Sequence, residues 1–336
     1  MRDRSCLPSR THGDADANVD PPRPAAHSRL AGPALALFSL ALTGCAVEDA
    51  APADNTRDLR VELPLEVDGW RNIIGGEAII APGEEKMLCF HMTWDQPTMA
   101  VGEIDMIQGK MGHHAVMVTT KAPLPAGSVE DCTASTEMWK YNAFLIPVPS
   151  LPAGMGIELA TGQHMVLQSH YVNIGDVPIK IRDVVRVRQR QTKDVQKWVS
   201  TLSASSFDID VMPGASRTET FDCGFDEDVE LILAGPHMHE EGTGFQIHLG
   251  PSVDKLELLQ DVDDWIEEYR DSPPVLMAFD KPLAVPKGSI LRTTCSWKNT
   301  RDHQIGFPEE MCTTFGYIAG TKKLYDCRKE NGKITW

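Results

Sequence analysis

The sequence lacks the signature motifs of several common enzyme classes. It has no G-x-G-x-x-G after a strand and no P-loop, so no nucleotide cofactor is implied. It has no G-x-S-x-G elbow. The run that begins at His239-Glu240 fails the H-E-x-x-H pattern because position 243 is threonine. No two cysteines form C-x-x-C, so zinc-ribbon and thioredoxin-like sites have no support.

The chain also lacks an excess of basic residues. Its formal net charge is −16 and no basic stripe stands out, which argues against a nucleic-acid partner. The acidic balance is better understood as a solubility feature. With 336 residues and 42% hydrophobic content, the chain is long and apolar enough for two domains with real cores.

The first 44 residues have the features of a targeting segment. A short apolar run from Leu30 ends in Leu42-Thr43-Gly44-Cys45 and is too short to span a membrane well. This ending resembles the lipobox of bacterial lipoproteins, which implies cleavage before Cys45 and a diacylglycerol on its sulfur. The alternatives are an ordinary signal peptide with an incidental cysteine, or a transmembrane helix. Residues 45–60 then form the lipidated cysteine and a flexible acidic tether.

We therefore expect an exported protein, in the bacterial periplasm or on the cell surface, that touches the membrane through a lipid anchor only. The cysteines agree with export. Of eight cysteines, Cys6 lies in the leader and Cys45 carries the lipid, which leaves an even number in the mature chain. An even number in an exported chain indicates three disulfides in an oxidising compartment, the alternative being buried free thiols. The six are Cys89, Cys132, Cys223, Cys295, Cys312 and Cys327.

From about residue 60 the pattern is typical of an all-β protein. Apolar residues alternate with polar ones at positions 207, 209 and 211, and again at 229, 231 and 233. Turn signals separate the short strands at residues 82–83, 125–127, 152–154, 213–214 and 286–288. Many short strands with Gly/Pro turns predict a β-sandwich or barrel. Only Val253 to Arg270 invites a weak helix prediction. A boundary near residue 188 predicts an N-terminal domain over 61–188 and a C-terminal domain over 189–336.

Each predicted domain has its own histidine group. In the first, His113 and His114 are adjacent, so on a flat strand their side chains would point to opposite faces. A bend, which Gly112 permits, would let both bind one metal ion. His170 could bring a third imidazole from a neighbouring strand, and three neutral imidazoles suit copper or zinc. His91, His164 and His248 are interpreted as ordinary polar surface residues.

In the second domain, His237 and His239 are two positions apart, so both imidazoles lie on one face of a strand. Far downstream comes Met311, whose thioether is a soft ligand that suits Cu(I) rather than zinc. The neighbouring Cys312 would fix the backbone at Met311 if it formed a disulfide with Cys295. This arrangement predicts a copper site.

The order His-His, Gln-x-His-Tyr, His-x-His and Glu-Glu-Met-Cys resembles the copper type II, ascorbate-dependent monooxygenases. This family includes peptidylglycine α-hydroxylating monooxygenase and dopamine β-monooxygenase. The resemblance runs from about Leu88 to Cys327 and implies two jelly-roll-like antiparallel β-sandwich domains in tandem, with one copper on each. It assigns His113, His114 and His170 to the electron-storing copper, and His237, His239 and Met311 to the oxygen-binding copper. It also implies the disulfides Cys89–Cys132, Cys223–Cys327 and Cys295–Cys312.

The resemblance implies hydroxylation of an activated C–H bond of a small molecule by O₂, with ascorbate or another reductant supplying two electrons. The familiar substrate does not carry over. The peptidylglycine enzyme grips a carboxylate with an Arg, an Asn and a Tyr, at positions that match Gly235, Thr313 and Phe315 here. Because these polar groups are missing, we expect a small aromatic or apolar substrate instead. The alternatives are a non-catalytic copper-binding or copper-sensing lipoprotein, and an adhesion-like β-sandwich with incidental histidines.

Overall fold

The computed structural model describes residues 55–132 and 141–335. The predicted leader, Cys45 and most of the predicted tether lie outside the described residues. In the described part, the chain forms strands and short 3-10 turns and has no α-helix. No helix there is long and apolar enough to cross a membrane.

The strands, in chain order, are β1 Arg57–Asp58, β2 Trp70–Ile74, β3 Ala78–Ile80, β4 Glu85–Thr93, β5 Met99–Ile107, β6 Gly112–Thr120, β7 Val129–Asp131, β8 Tyr141–Leu145, β9 Met155–Leu159, β10 His164–Val172, β11 Ile179–Ile181, β12 Val184–Arg190, β13 Lys197–Ser206, β14 Asp210–Val211, β15 Ser216–Gly224, β16 Val229–His237, β17 Gly242–Gly250, β18 Glu257–Val262, β19 Leu276–Met277, β20 Leu283–Val285, β21 Ile290–Lys298, β22 Ile305–Gly306, β23 Cys312–Ala319, β24 Tyr325–Glu330 and β25 Lys333–Thr335. Three 3-10 turns cover Thr192–Asp194, Val253–Lys255 and Glu267–Arg270.

Three sheets of four or more strands build the fold. The largest has eleven strands along the order β19-β16-β23-β13-β9-β5-β12-β2, with β20 beside β16, β24 beside β13 and β25 beside β24. A five-stranded sheet has the order β7-β4-β10-β6-β8, and a four-stranded sheet has the order β15-β21-β17-β18. Two small sheets, β1-β11-β3 and β14-β22, complete the described part.

The first core lies between the five-stranded sheet and one end of the large sheet. Phe90, Met117 and Leu167 come from the five-stranded sheet, and Val101 and Val187 come from the large one. All five are buried. Apolar side chains that alternate along strands of both sheets meet between them, which is the packing of a β-sandwich.

The second core lies between the four-stranded sheet and the other end of the large sheet. Phe245 and Trp297 face it from the four-stranded sheet, and Leu202, Leu231 and Ile318 face it from the large sheet. The protein is therefore all-β, as predicted, with sandwich packing at both ends of one long sheet.

A parallel strand pair joins the two ends of the large sheet. The register aligns Lys197 with Met155 and Val199 with Ile157. The predicted boundary after residue 188 falls inside β12. The first core also takes residues from beyond it, namely Val199, Ile232, Leu233, Tyr317 and Ala319. The division into two domains stays a prediction.

The three disulfides have the pairing that the family resemblance implies: Cys89–Cys132, Cys223–Cys327 and Cys295–Cys312. The first links β4 to the residue after β7. The other two each connect the four-stranded sheet to the large sheet across the second core. Three disulfides indicate an oxidising compartment.

The predicted turns are present where the Gly/Pro signals stand. Gly83 and Gly288 both occupy the left-handed region, at φ 74° and 88°. A residue with a Cβ is strained there, whereas glycine is not, so the glycine marks the end of one strand and the start of the next.

Several expectations for secondary structure are wrong. Val253 to Arg270 is not a helix, because two 3-10 turns flank strand β18, which pairs with β17. The alternating residues 207–211 are mostly outside strands, since β13 ends at Ser206 and β14 covers only Asp210–Val211. For β18, pairing with β17 decided the conformation, which local periodicity does not report.

The end of the predicted tether is also ordered. Arg57–Asp58 forms β1 and pairs in parallel with β11. Arg60 then forms ion pairs with Asp58 and Glu77 at 2.6 and 2.7 Å. β11 pairs with β3 on one side, and its other edge offers the backbone groups that hold β1.

His91, interpreted from sequence as a surface residue, is buried with 4% of its surface exposed. The Leu124 N–H donates to its Nδ1 at 3.3 Å, and its Nε2 lies 3.0 Å from Glu130 Oε1. A buried imidazole with both nitrogens bonded is a structural group, so this residue carries no predicted role in the site.

Candidate metal centre

The structure brings His113, His114 and His170 together. One ligand nitrogen of each imidazole lies within 4.8 Å of the others. The ring centroids are 4.9 to 5.9 Å apart. Because His170 on β10 pairs directly with His114 on β6, the third imidazole comes from the neighbouring strand, as predicted.

A β-bulge at His113 allows the side chains of the adjacent residues His113 and His114 to approach each other. The register runs from His170 opposite His114 to Tyr171 opposite Gly112, so His113 has no partner of its own. A bulge sets two residues of one strand against one of its partner and redirects their side chains. The bend was predicted. The residue before β6 with positive φ, however, is Met111, at φ 68°, and not Gly112.

Polar contacts below the bulge hold β6 in this shape. Gln108 donates from Nε2 to the His114 carbonyl oxygen at 2.9 Å and to Asp183 at 3.1 Å. The Tyr171 hydroxyl donates to Asp183 and accepts from the Gly109 N–H at 3.0 Å. Tyr171 is fully buried, so this network fixes the strand beside His170 from inside the core.

His170 is held in one orientation. Its Nε2 lies 2.8 Å from Glu85 Oε1, and its Nδ1 lies 3.4 Å from His114 Nδ1. A carboxylate on one ring nitrogen fixes the tautomer and leaves the other nitrogen for a metal ion. Burial, and then the charges of His114 and His113, lower the pKa of His170 against the opposing effect of Glu85. The imidazole is therefore neutral near pH 7, which is the form that binds metal.

His237 and His239 form the second group. The prediction that both lie on one face of a strand is wrong, because β16 ends at His237 and His239 follows it outside the strand. The two ring centroids are nevertheless 5.2 Å apart, at an angle of 82°. His239 Nδ1 donates to the Glu309 carbonyl oxygen at 2.9 Å, which leaves Nε2 as its free ligand atom. Burial and the charge of His239 lower the pKa of His237 to about 3, and burial also lowers the pKa of His239.

Glu310 fastens the chain around His239. Its carboxylate accepts from the backbone N–H of His239 at 3.0 Å, from the N–H of Glu241 at 2.7 Å and from Trp297 Nε1 at 3.1 Å. The residue is fully buried, and burial raises its pKa to about 7. The carboxylate thus ties the segment that precedes Met311 to the loop that carries His239.

Met311 lies at the same end of the sheet as the His237/His239 pair. In the antiparallel pairing of β16 with β23, His237 stands opposite Thr313. Continued two residues beyond that pair, the same register sets His239 across from Met311. The contacts of His239 with Glu309 and Glu310 agree with this placement. The Met311 assignment itself stays a prediction.

The two histidine groups are connected through consecutive residues. Arg270 forms an ion pair with Glu240, which follows His239. The next residue, Asp271, contacts His114 Nδ1 at 2.9 Å and His113 Nδ1 at 3.3 Å. The charge of His114 also contributes, after burial, to the lowered pKa values of His237 and His239.

Sequence reasoning missed three acidic residues of these groups, namely Glu85, Asp271 and Glu310. Asp271 is 157 positions from His114, so no local spacing could have linked them. Glu310 belongs to the Glu-Glu-Met-Cys motif, but the motif does not reveal that its side chain is buried.

The positions that match the carboxylate clamp of the peptidylglycine enzyme are apolar or already hydrogen-bonded here. Phe315 stands opposite Gly235 in the sheet, and its ring fills the space where a side chain at Gly235 would begin. Thr313 is buried and donates to Ser205 Oγ at 2.9 Å. None of these three positions offers a cation or a free polar group to a substrate carboxylate.

We expect Gly235→Ala to lower the free energy of unfolding by about 1–3 kcal/mol, the usual cost of overpacking. A Cβ at Gly235 would lie 2.7 Å from Phe315 Cζ and 2.7 Å from Val275 Cγ1. Chemical denaturation measures the change. The Phe315→Leu exchange should recover part of it in the double variant, and a strictly additive double variant would contradict this packing.

No family model matches the chain, and no curated protein matches it in sequence. In structure it is similar to the STIV MCP, with 7% identity and a TM-score of 0.29, over 74% of this chain and 96% of that one. It is also similar to the infectious bursal disease virus Gx strain, with 8% identity and a TM-score of 0.21, over 74% and 72% of the two chains. These TM-scores are too low to carry an argument.

Proposed function

We propose that the protein is a copper-dependent monooxygenase that hydroxylates an activated C–H bond of a small molecule, using O₂ and a two-electron reductant such as ascorbate. The observation that carries the proposal is the convergence of His113, His114 and His170, with ligand nitrogens within 4.8 Å of one another. The bulge turns His113 and His114 toward the same place as His170. Because His113 is exposed and His114 is half-buried, packing of the core does not require this bulge.

The residues present fit copper at both groups. Imidazoles suit copper, and a thioether favours Cu(I), so the two groups differ in the way a storage site and an oxygen-binding site should differ. Copper, when bound, supplies the one-electron and O₂ chemistry that protein side chains lack. Burial lowers the pKa values of His170 and His237, which favours the neutral imidazole. Glu85 orients His170, and the Glu309 carbonyl orients His239.

The substrate is proposed to be a small aromatic or apolar compound. Phe315 and Val275 crowd Gly235, where the peptidylglycine enzyme has its arginine, and Thr313 is bonded to Ser205. A substrate carboxylate would leave water here without a compensating partner, which costs several kcal/mol in general. Recognition by apolar contact avoids that cost.

The proposed location is the outside of a bacterial cytoplasmic or outer membrane, with the lipid on Cys45 as anchor. The three disulfides support an oxidising compartment. The Leu42-Thr43-Gly44-Cys45 sequence supports lipidation.

Metal analysis of the purified chain tests the proposal. We expect two copper ions per chain, one for each histidine group, and O₂ uptake with ascorbate that rises when a suitable apolar compound is added. The Met311→Ala variant should lose copper from the His237/His239 group alone. Tight copper binding without any substrate-dependent O₂ uptake would favour the copper-binding alternative. Zinc as the only metal would contradict both.

A further inference from the structure

We propose that Asp271 is a ligand of the metal ion at His113, His114 and His170, so that this centre has three imidazoles and one carboxylate. The identity of the metal as copper rests on the function proposed above.

The geometry puts both carboxylate oxygens of Asp271 against the imidazoles. One oxygen is 2.9 Å from His114 Nδ1 and the other is 3.3 Å from His113 Nδ1. The Asp271 side chain is only 24% exposed. A half-buried carboxylate shared by two histidines of a three-histidine group is placed where a metal ligand would be.

The edge of the rings that faces the metal can be identified. His170 has its Nε2 on Glu85, so its ligand atom is Nδ1, and that Nδ1 lies 3.4 Å from His114 Nδ1. His170 and His114 therefore meet through their Nδ1 edges. Asp271 contacts Nδ1 of the other two histidines, and His114 Nδ1 is also the atom that faces His170. A carboxylate that only orients an imidazole bonds the outward nitrogen, as Glu85 does.

The segment that carries Asp271 is held in place from the other histidine group. Asp271 follows the 3-10 turn Glu267–Arg270, and its N–H donates to the Glu268 carbonyl oxygen at 3.3 Å. Trp265 Nε1 donates to the His239 carbonyl oxygen at 3.0 Å, and Arg270 pairs with Glu240. The carboxylate is thus presented by contacts that do not depend on the metal.

A carboxylate changes which oxidation state the centre prefers. Mixed nitrogen and oxygen ligands suit Cu(II), whereas Cu(I) prefers softer ligands. The negative charge also offsets part of the charge of a divalent ion. We therefore expect Asp271 to strengthen binding of Cu(II) much more than binding of Cu(I).

The test measures Cu(II) and Cu(I) affinities by chelator competition, together with the Cu(II) electron paramagnetic resonance spectrum. The full chain carries His239→Ala so that the three-histidine group is observed alone. Asp271→Asn should lower the Cu(II) affinity by at least about tenfold and alter the spectrum, with a much smaller change for Cu(I). Asp271→Glu, which keeps the carboxylate, should recover part of the Cu(II) affinity.

Glu85→Gln is the matched control, because Glu85 bonds the outward nitrogen of His170. It should lower both affinities to a similar extent. The ligand assignment would be overturned if Asp271→Asn left the Cu(II) affinity and the spectrum unchanged. It would also be overturned if Asp271→Asn lowered the Cu(II) and Cu(I) affinities in parallel, as Glu85→Gln should. If the unsubstituted chain still shows copper and ascorbate-driven O₂ uptake, the proposed function survives that result. A three-histidine group that takes up no copper at all would overturn both.

Discussion

Replacing Glu310 with alanine is expected to lower the free energy of unfolding by about 3–6 kcal/mol. The carboxylate is fully buried and accepts from the N–H groups of His239 and Glu241 and from the Trp297 indole. Each buried donor left without a partner costs about 1–3 kcal/mol. Denaturant unfolding followed by tryptophan fluorescence measures the loss.

The same substitution should release the loop that holds His239. His239 and Met311 are brought to one place by the contacts of Glu309 and Glu310, so we expect Glu310→Ala to lose copper from the His237/His239 group and to keep it at the three-histidine group. Metal analysis of the folded fraction distinguishes the two groups. Glu310→Gln keeps one acceptor oxygen and should lie between the parent and the alanine variant.

Glu309→Ala is the matched control for Glu310→Ala. The Glu309 carboxylate is exposed and contacts His303 at 2.8 Å, whereas its contribution to His239 comes from the backbone oxygen. Its removal should change the free energy of unfolding by about 1 kcal/mol or less, since exposed ion pairs contribute little. Equal losses for the two alanine variants would show that burial of Glu310 does not set the effect.

The second large effect is expected from the Cys223–Cys327 disulfide. It joins residues 104 positions apart, whereas Cys295–Cys312 joins residues 17 apart. On the chain-entropy account, the longer loop stabilises the fold by about 5 kcal/mol and the shorter one by about 3 kcal/mol. The double variant Cys223→Ala/Cys327→Ala should therefore lose more stability than Cys295→Ala/Cys312→Ala in denaturant unfolding.

The effect on copper binding is expected to have the opposite order: the short-loop disulfide should matter more than the long-loop one. Cys312 is the first residue of β23 and follows Met311 directly, so loss of its bridge should weaken copper binding at the His237/His239 group. Cys223 lies on β15 and Cys327 lies on β24, and neither is next in sequence to a proposed copper ligand. The long-loop variant should keep its copper wherever it stays folded. Loss of copper in the long-loop variant alone would contradict this assignment.

Much of the fold follows from local chemistry. Alternating apolar residues in β16 and Gly/Pro turns such as Gly83 and Gly288 appear in the structure as expected. Six cysteines in an exported chain predicted three disulfides, and the family resemblance supplied their pairing. The helix prediction for Val253 to Arg270 was wrong because β18, within this segment, pairs with β17, and that pairing outweighs the local composition.

The sequence by itself determined the residue types of the two histidine groups and the need for a bend at His113 and His114. Those features depend on the period-2 geometry of a strand and on ligand chemistry, which a sequence states directly. Only the tertiary structure decided that His113 is the bulged residue, that Glu310 is buried among three donors, and that Asp271 reaches the Nδ1 edges of His113 and His114. Asp271 and His114 are 157 positions apart, and contacts of that range are set by how sheets pack, which no local pattern encodes.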